Sequence, residues 1–398
     1  MHRLFTPWLK EVEDVQLFAG PSASSGLDNM LYFGTSDADA LTLSVMDVDA
    51  FVIECSNVYR RKATEAAADL TVVTHNAAIA AAINAHGYTI RDSAGERRVP
   101  GRATAALPND AGVFDVVLLA TQPTQVAAAA RAALPHLHPD GVVLCFQNGL
   151  CEPHVAEVVG GERVIGAIVV WGASMPEPGV YDRTSDGGFV LGRLDGADDA
   201  RFPLLRTLLE PVGPVALTHN LAGARWSKLA INCAISSLGT VGGERLGDLL
   251  RSRFVRRLGL EVMTEVVQVA QRAGIRLEKV SGTLDLGWIA LTAADASGPG
   301  SPSLLAKHAV LLAVGARYRR LRSSMLLAIE RGREPAVEFL NGEVVRRGAA
   351  LGVATPVNLR VQQLVHAIWR RELRPSPALL RRLYDETRPE GPALGAAL

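Results

Sequence analysis

Residues 114–146 of this chain have the sequence FDVVLLATQPTQVAAAARAALPHLHPDGVVLCF. Two short apolar runs, residues 114–120 and 142–146, flank an alanine-rich stretch over residues 124–134 that favours a helix. Pro135 and the proline, aspartate and glycine at residues 139–141 predict that the helix ends and a turn follows before the second run. A strand, a helix and a second strand in this order predict a βαβ unit and therefore a parallel sheet.

The same alternation extends on both sides of this unit. The other strand-like runs occupy residues 51–53, 70–74, 164–170, 188–191 and 214–217. Strands that alternate with helical stretches predict an α/β domain over residues 51–217, in which helices wrap a parallel sheet.

From residue 218 onward the β-branched runs cease and long helical patterns begin. The main ones occupy residues 254–273, 303–317, 324–331 and 335–351, with Pro335 suited to a helix start and Gly352 to a helix stop. An all-α domain is therefore predicted over residues 218–374. Residues 1–50 lack a clean periodicity and are an N-terminal extension of unclear structure. Residues 375–398, rich in proline, arginine and alanine, are predicted to be a flexible tail.

Composition narrows the class of protein. The chain has 398 residues, 48% of them hydrophobic, which is enough for two domains with sizeable cores. Its 41 basic and 41 acidic residues cancel, so it lacks the positive excess typical of nucleic-acid binding. No apolar run approaches the roughly 18 residues of a membrane helix, and Glu11, Glu13 and Asp14 lie where a signal peptide is apolar. We therefore expect a cytoplasmic protein with neither nucleic-acid nor membrane partners.

The cysteines do not predict a metal site. Cys55, Cys145, Cys151 and Cys233 show neither a C-x-x-C pair nor the histidine spacing of a zinc site. We expect reduced and mostly buried thiols, and no bound metal.

Residues 225–236, RWSKLAINCAIS, place Lys228, Asn232 and Ser236 four residues apart. On a helix this spacing puts all three polar groups on one face. Lys228 is one of only five lysines in the chain, and a buried lysine can lower its pKa and transfer a proton, which arginine cannot do. The functional interpretation is a general acid. The alternative is a lysine whose ammonium extends to water from an amphipathic helix.

Several segments together resemble the ketopantoate reductases. They are Gln147-Asn148-Gly149, the lysine helix, Ser323-Ser324-Met325, residues 338–342 (EFLNG), residues 352–358 (GVATPVN) and residues 171–179 (WGASMPEPG). The resemblance covers roughly residues 51–370. It implies a Rossmann-type α/β domain followed by an all-α domain, and an NADPH-dependent reduction of a 2-oxo acid to a 2-hydroxy acid in a cleft between them.

The resemblance also implies roles for individual residues. Lys228 matches the lysine that donates a proton to the substrate carbonyl. Asn232 and Ser324 match substrate-binding residues, and Ser236 replaces a second asparagine there. Asn148 matches an asparagine at the lip of the cofactor crevice and is assigned to both substrate and cofactor. The alternative for Asn148 is a turn residue before a glycine, and for Ser324 a helix N-cap.

The chain departs from the family pattern at the phosphate-binding loop. After the first predicted strand, residues 54–59 (ECSNVY) contain none of the three glycines that the dinucleotide loop uses. Ser56, Asn57 and Val58 are the matching cofactor-binding positions. A carboxylate at Glu54, about 4 Å from a phosphate charge, would cost roughly 4 kcal/mol at an effective dielectric near 20.

Three further positions bear on the ligands. His75 follows the second predicted strand, where the acidic residue that grips a ribose hydroxyl is missing, which suits NADP better than NAD. Gln122 occupies a position where the family commonly has a lysine near the cofactor. Ala336 replaces the glutamate that binds the substrate hydroxyl, so a more apolar 2-oxo acid or another carbonyl compound is an expected substrate.

Two alternatives to the reductase interpretation remain open. The first is a paralogue that has lost nucleotide binding and uses the same cleft for binding or for non-redox chemistry. The second is a sequence in which a frame or start-site error has replaced the first strand and loop. A homodimer is expected from the resemblance.

Overall fold

The structure is a computed structural model, and it describes residues 72–74, 76–107, 113–210, 212–279, 285–297 and 301–388. The predicted extension over residues 1–50 lies outside these ranges, as do the predicted cofactor-binding residues Ser56, Asn57, Val58 and His75. The described chain divides into two compact units. The first comprises the residues up to Lys228 together with residues 278 and 279, and the second comprises the remainder.

The first unit is an α/β structure. Its strands are β1 (Val72–Val73), β2 (Tyr88–Asp92), β3 (Gly95–Val99), β4 (Ala103–Thr104), β5 (Phe114–Leu119), β6 (Leu137–Cys145), β7 (Val164–Val169), β8 (Gly172–Glu177), β9 (Val180–Ser185), β10 (Phe189–Gly192) and β11 (Val215–Leu217). Its helices are α1 (Ala77–His86), α2 (Val126–Ala133), α3 (Glu152–Val159) and α4 (Phe202–Leu209), with short 3-10 turns at Pro123–Gln125, Leu134–His136 and Gly161–Arg163.

The largest sheet has the strand order β11-β10-β7-β6-β5. Strands β5, β6 and β7 run parallel, whereas β10 is antiparallel to β7 and parallel to β11. The four residues from Val142 to Cys145 are fully buried. Burial on both faces explains why β6 is a continuous apolar run rather than an alternating one. The predicted α/β fold is confirmed, and the predicted parallel arrangement is confirmed for β5, β6 and β7, whereas the predicted strand at residues 188–191 runs antiparallel to β7.

The predicted turn at residues 139–141 is wrong, because these residues belong to β6. Phe114 pairs with Leu137 and Val116 pairs with Val142, so the register shifts between these pairs and the residues between Leu137 and Val142 bulge out of the ladder. Proline lacks an N–H donor but is tolerated at a bulge, since the ladder is interrupted there already.

A second sheet, of order β3-β2-β9-β8, is not predicted by the sequence. Its strands β2 and β3 form a hairpin, and β2 pairs in parallel with β9. Arg91 in β2 and Glu96 in β3 are partly exposed and hydrogen-bonded to each other at 2.9 Å. Charged residues such as these interrupt the apolar pattern, which explains why the strands lack a clear signal.

The second unit is helical. Helix α5 (Leu221–Gly242) begins in the first unit and continues into the second, where it is followed by α6 (Leu246–Leu249), α7 (Arg253–Arg272), α8 (Leu286–Ile289), α9 (Ala293–Ser297), α10 (Pro302–Arg317), α11 (Ser324–Glu330), α12 (Asn341–Leu351), α13 (Pro356–Trp369) and α14 (Pro377–Glu386). The all-α C-terminal part is therefore confirmed. Among the residues that the structure describes, none of the helices has both the length and the apolarity that a membrane crossing requires.

The single helix predicted over residues 335–351 is wrong. A 3-10 turn at Ala336–Phe339 ends at Leu340 (φ −113°, ψ −98°), and α12 begins at Asn341. Asn341 is fully buried, and its Nδ2 donates to Oδ1 of Asn358 at 2.9 Å. The break brings this amide into a buried polar network, where a buried polar group must have a partner. The predicted stop is present, since Gly352 has the left-handed conformation (φ 69°) that favours glycine.

The flexible tail predicted over residues 375–398 is wrong in its first part. Residues 377–386 form α14, whose leucines Leu379, Leu380 and Leu383 are buried. Leu383 follows the other two by three and four residues, so all three lie on one face, and α14 is amphipathic and packs on the helical unit. The predicted domain boundary at residue 218 lies where β11 ends, whereas the two compact units divide further along, between Lys228 and Leu229 inside α5.

Candidate functional site

Arg225 attaches the first half of α5 to the carboxyl ends of β6 and β7. Its side chain is 1% exposed. Nη1 donates to Gln147 O at 2.8 Å, and Nη2 donates to Cys145 O at 2.8 Å and to Ala167 O at 3.4 Å. Nε donates to Oε1 of Glu152, the first residue of α3, at 2.5 Å. A buried guanidinium with this many partners holds the helix in one position on the sheet edge.

The close approach of these elements requires a glycine at position 166 in β7. A β-carbon there would lie 2.5 Å from Oε1 of Glu152 and 2.5 Å from a methyl group of Leu221. Gly166 therefore makes room for the carboxylate of Glu152 and for the start of α5 at the same point.

Lys228 lies one helical turn beyond Arg225 and is 8% exposed. Its Nζ donates to Val169 O, at the carboxyl end of β7, at 2.9 Å. Burial and the nearby Arg225 guanidinium lower the pKa of Lys228 well below its usual value, and the Glu152 carboxylate acts in the opposite direction. The alternative of a lysine that extends to water is wrong, because the ammonium is bound to a strand carbonyl. Its catalytic role stays a prediction.

Asn232, one turn further along α5, lies in the second unit and is 1% exposed. Neither Oδ1 nor Nδ2 of this amide has a hydrogen-bond partner among the residues that the structure describes. A buried amide without partners costs about 1–3 kcal/mol, so this side chain is suited to receive a polar ligand. Ser236 is also buried, and its carbonyl oxygen accepts from Ser323 Oγ at 2.6 Å.

Ser324 is the first residue of α11 and is half-buried. The N-cap of α11 is Ser323, whose Oγ accepts from Leu326 N at 3.2 Å, so the alternative of Ser324 as an N-cap is wrong. Gly239 of α5 lies against this cap, since a β-carbon there would be 2.9 Å from Cβ of Ser323. Within the second unit, α5 and the start of α11 are therefore in close contact.

Gln122 and Asn148 lie in the loops that follow β5 and β6, at the carboxyl ends of two adjacent parallel strands. Gln147, 1% exposed, connects these loops, because its Nε2 donates to Leu119 O at 2.8 Å. Ligands of open α/β sheets bind outside such carboxyl ends. After β1, Asn76 accepts hydrogen bonds from the N–H groups of Ala78 and Ile79 and so caps α1.

Ala336, for which the resemblance implies a replaced glutamate, begins the 3-10 turn. Glu338, two residues on, accepts from Gln362 Nε2 at 2.8 Å and pairs with His366, both in α13. Its carboxylate is thus already bound within the helical unit.

The structure places the predicted residues in two groups. The first unit brings Gln122, Asn148 and Lys228 to the carboxyl ends of β5, β6 and β7, and the second unit contains Asn232, Ser236 and Ser324. Glu152, the partner of Arg225, is not among the residues that the sequence predicts. The two residues are 73 positions apart, and no spacing rule connects a helix start with a later helix over that distance.

Two family models match the chain. The model for ketopantoate reductase PanE/ApbA matches residues 59–196, and the model for the C-terminal part of the same family matches residues 220–369. Together they cover well over half of the chain.

Individual proteins agree with this match. A 2-dehydropantoate 2-reductase from Pyrococcus horikoshii is 24% identical over 291 residues, which are 72% of this chain and 85% of that protein. One from Halobacterium salinarum is 26% identical over 298 residues, covering 74% and 89%. A crystal structure of a PanE/ApbA family ketopantoate reductase from Ralstonia eutropha superposes with a TM-score of 0.64 at 24% identity, covering 80% of this chain and 95% of that one. D-mandelate dehydrogenase, in a ternary structure with NADH and anilino(oxo)acetate, gives 0.66 at 18% identity, covering 82% and 96%.

An α/β unit whose central strands run parallel, followed by a helical unit, is the fold of this family of oxidoreductases. The chain belongs to the ketopantoate reductase family.

Proposed function

We propose that this protein reduces a 2-oxo acid to a 2-hydroxy acid with NADPH, and that Lys228 is the general acid. The observation that supports this most directly is the buried ammonium of Lys228, with its lowered pKa, one turn before an amide that has no partner among the described residues. Membership of a reductase family favours this function over binding without redox chemistry.

The proposed reaction needs a proton donor and groups that bind the substrate, and different side chains would supply them. A nicotinamide cofactor held beside Gln122 and Asn148 would supply hydride for the carbonyl carbon. Lys228 donates its proton to the carbonyl oxygen as negative charge develops there, so that no free alkoxide forms. Asn232 and Ser236 would hold the substrate by hydrogen bonds, and Ser324 would bind its carboxylate. The lowered pKa brings the ammonium closer to the range in which proton donation is efficient.

The described part of the sheet edge fits a dinucleotide. Gln122 and Asn148 follow adjacent parallel strands at their carboxyl ends, which is where this class of sheet binds nucleotides. The preference for NADPH over NADH rests on the missing acidic residue after the second predicted strand, where His75 stands. The binding site of the pyrophosphate would include Ser56, Asn57 and Val58.

The substrate is expected to be ketopantoate or a more apolar 2-oxo acid. Ala336 offers no carboxylate to a substrate hydroxyl, and Glu338 is bound to Gln362 and His366. Because D-mandelate dehydrogenase shares the fold, the 2-oxo acid that corresponds to mandelate is a suitable second test compound.

The test is calorimetric titration of the purified chain with NADPH and with NADH, followed by assays of NADPH oxidation with ketopantoate, the mandelate-derived 2-oxo acid and aliphatic 2-oxo acids. We expect micromolar NADPH binding and turnover of at least one acid. Lys228→Met should lower kcat by about two to four powers of ten with NADPH binding unchanged. Absence of cofactor binding at millimolar concentration would leave the binding-only paralogue or the sequence error as the explanation.

A further inference from the structure

We propose that Glu152 and Arg225 are positioning residues for Lys228, and that their buried ion pair sets where its ammonium lies at the carboxyl end of β7. This inference rests on the proposed function, because it assigns a task to the proton donor of that reaction. Neither residue is expected to touch the substrate.

Arg225 and Lys228 both bind backbone carbonyl groups of β7. Arg225 donates to Ala167 O and Lys228 donates to Val169 O, so two residues of β7 accept from two residues of α5. Residues two apart in a strand present their carbonyl groups in the same direction, and residues three apart on a helix lie on one face. The two side chains therefore bind the same edge of β7, and a shift of one displaces the other.

Glu152 determines the orientation of the guanidinium. Its Oε1 accepts from Arg225 Nε at 2.5 Å and also contacts Nη2, and both side chains are 1% exposed. The remaining N–H groups of Arg225 then point at the carbonyl oxygens of Cys145, Gln147 and Ala167. Lysine at position 225 would carry the charge but not this planar set of donors.

The same pair acts on Lys228 through its charges. Arg225 disfavours the ammonium form of Lys228, whereas Glu152 favours it. Oε2 of Glu152 is buried and accepts no hydrogen bond from the described residues. Among the described residues, the thiols of Cys145 and Cys151 lie beside the pair, and burial, with a further contribution from Glu152, raises the pKa of Cys145 well above its usual value.

Two substitutions separate the effect of the Glu152 charge from the effect of the Arg225 hydrogen bonds. Glu152→Gln keeps an oxygen that accepts from Arg225 but removes the negative charge. Arg225→Lys keeps the positive charge but removes the planar guanidinium group and its set of N–H donors. Asp199→Asn is the matched control, because Asp199 is also a buried carboxylate, bound to Arg193 at 3.0 Å and Arg201 at 2.7 Å, and contacts neither α3 nor α5 through those bonds.

The first measurement does not need activity. In protein with isotope-labelled lysine, the 13Cε resonance of Lys228, assigned by its loss in Lys228→Met, is followed against pH. Glu152→Gln should lower the pKa of Lys228, and Asp199→Asn should leave it unchanged. An unchanged Lys228 titration in folded Glu152→Gln and Arg225→Lys proteins, together with wild-type kcat in both, overturns the proposal.

The second measurement is the steady-state pH profile. Lys228 must be protonated to act, so Glu152→Gln should move the alkaline decline of kcat to lower pH. Arg225→Lys should lower kcat about 10- to 100-fold with KM changed less than about threefold. Wild-type kcat in both variants, with only a lower Tm, would mean a structural role alone. A Lys228 titration that shifts in a protein reducing none of the 2-oxo acids would instead refute the proposed function and retain this inference.

Discussion

Two buried lysines, Lys228 and Lys307, have different electrostatic surroundings. Nζ of Lys307 donates to Oδ2 of Asp295 at 2.6 Å and to Ala290 O at 2.7 Å, and both members of this pair are almost fully buried. The hydrogen bonds from Lys307 and Ser301 hold the pKa of Asp295 well below its usual range despite burial. The pKa of Lys228 is instead lowered, which means that the folded protein disfavours its charged form. Lys307 is therefore paired with an opposite charge, whereas the charged form of Lys228 makes the folded protein less stable.

We predict opposite effects on stability for the same substitution at these positions. Lys307→Met should lower the free energy of unfolding by about 3–5 kcal/mol, because Asp295 is left buried without its partner. Lys228→Met should raise it by about 1 kcal/mol although the same substitution lowers kcat. Urea unfolding followed by circular dichroism measures both. A large loss of stability in Lys228→Met would show that its ammonium is a structural group.

The lowered pKa of Lys228 also predicts how stability depends on pH. Between that lowered pKa and the usual value of 10.5, the unfolded chain binds a proton that the folded chain does not. The free energy of unfolding should therefore rise with pH across this window, and be lowest below it. The measurement is urea unfolding at a series of pH values from 7 to 10.5, with Lys228→Met as the control. A wild-type slope no steeper than that of the variant contradicts the assignment.

At the scale of elements, α5 and α11 are connected by the hydroxyl group of Ser323. Ser323 Oγ accepts from Leu326 N, donates to Ser236 O at 2.6 Å and lies 2.8 Å from Thr240 Oγ1. It thus caps α11 and binds the carbonyl of a residue on the proposed catalytic helix. The position of Ser324 beside this cap follows from the same contacts.

We predict that Ser323→Ala lowers the free energy of unfolding by about 2–3 kcal/mol, since it removes a cap and buried hydrogen bonds together. Ser376→Ala is the comparison, because Ser376 caps α14 through Leu379 N at 3.2 Å and should cost only about 1 kcal/mol. Both are measured by chemical denaturation, and equal losses would mean that the hydrogen bond to Ser236 contributes nothing. KM for the 2-oxo acid should rise in Ser323→Ala alone.

At the scale of the whole molecule, the helical unit includes residues well beyond the last family signature at residues 352–358. Ser376 N donates to Val241 O at 2.9 Å, and a β-carbon at Gly242 would lie 2.6 Å from a methyl group of Leu380. Helix α14 therefore packs against the end of α5 within the second unit.

Truncation before α14 tests whether this helix stabilises the second unit. A chain that ends at residue 374 loses three buried leucines and, at roughly 2 kcal/mol each, should be less stable by about 6 kcal/mol. A chain that ends at residue 388 keeps every described contact of α14 and is the control. Differential scanning calorimetry should show a much lower Tm for the shorter chain only, and equal Tm values would show that α14 does not stabilise the unit.

The α/β part, the all-α second part and the family are all predictable from the amino-acid sequence, because buried strands and amphipathic helices have periodic patterns over a few residues and the motif residues are adjacent in the chain. The sequence also placed Lys228 on a helix face with Asn232 and Ser236 for the same reason. Only the tertiary structure showed that Lys228 is bound to Val169, that Glu152 orients Arg225, that Ser323 rather than Ser324 caps α11, and that residues 377–386 are packed. Each of these depends on contacts between residues far apart in sequence, and burial, which sets the pKa of Lys228, is a property of the whole neighbourhood.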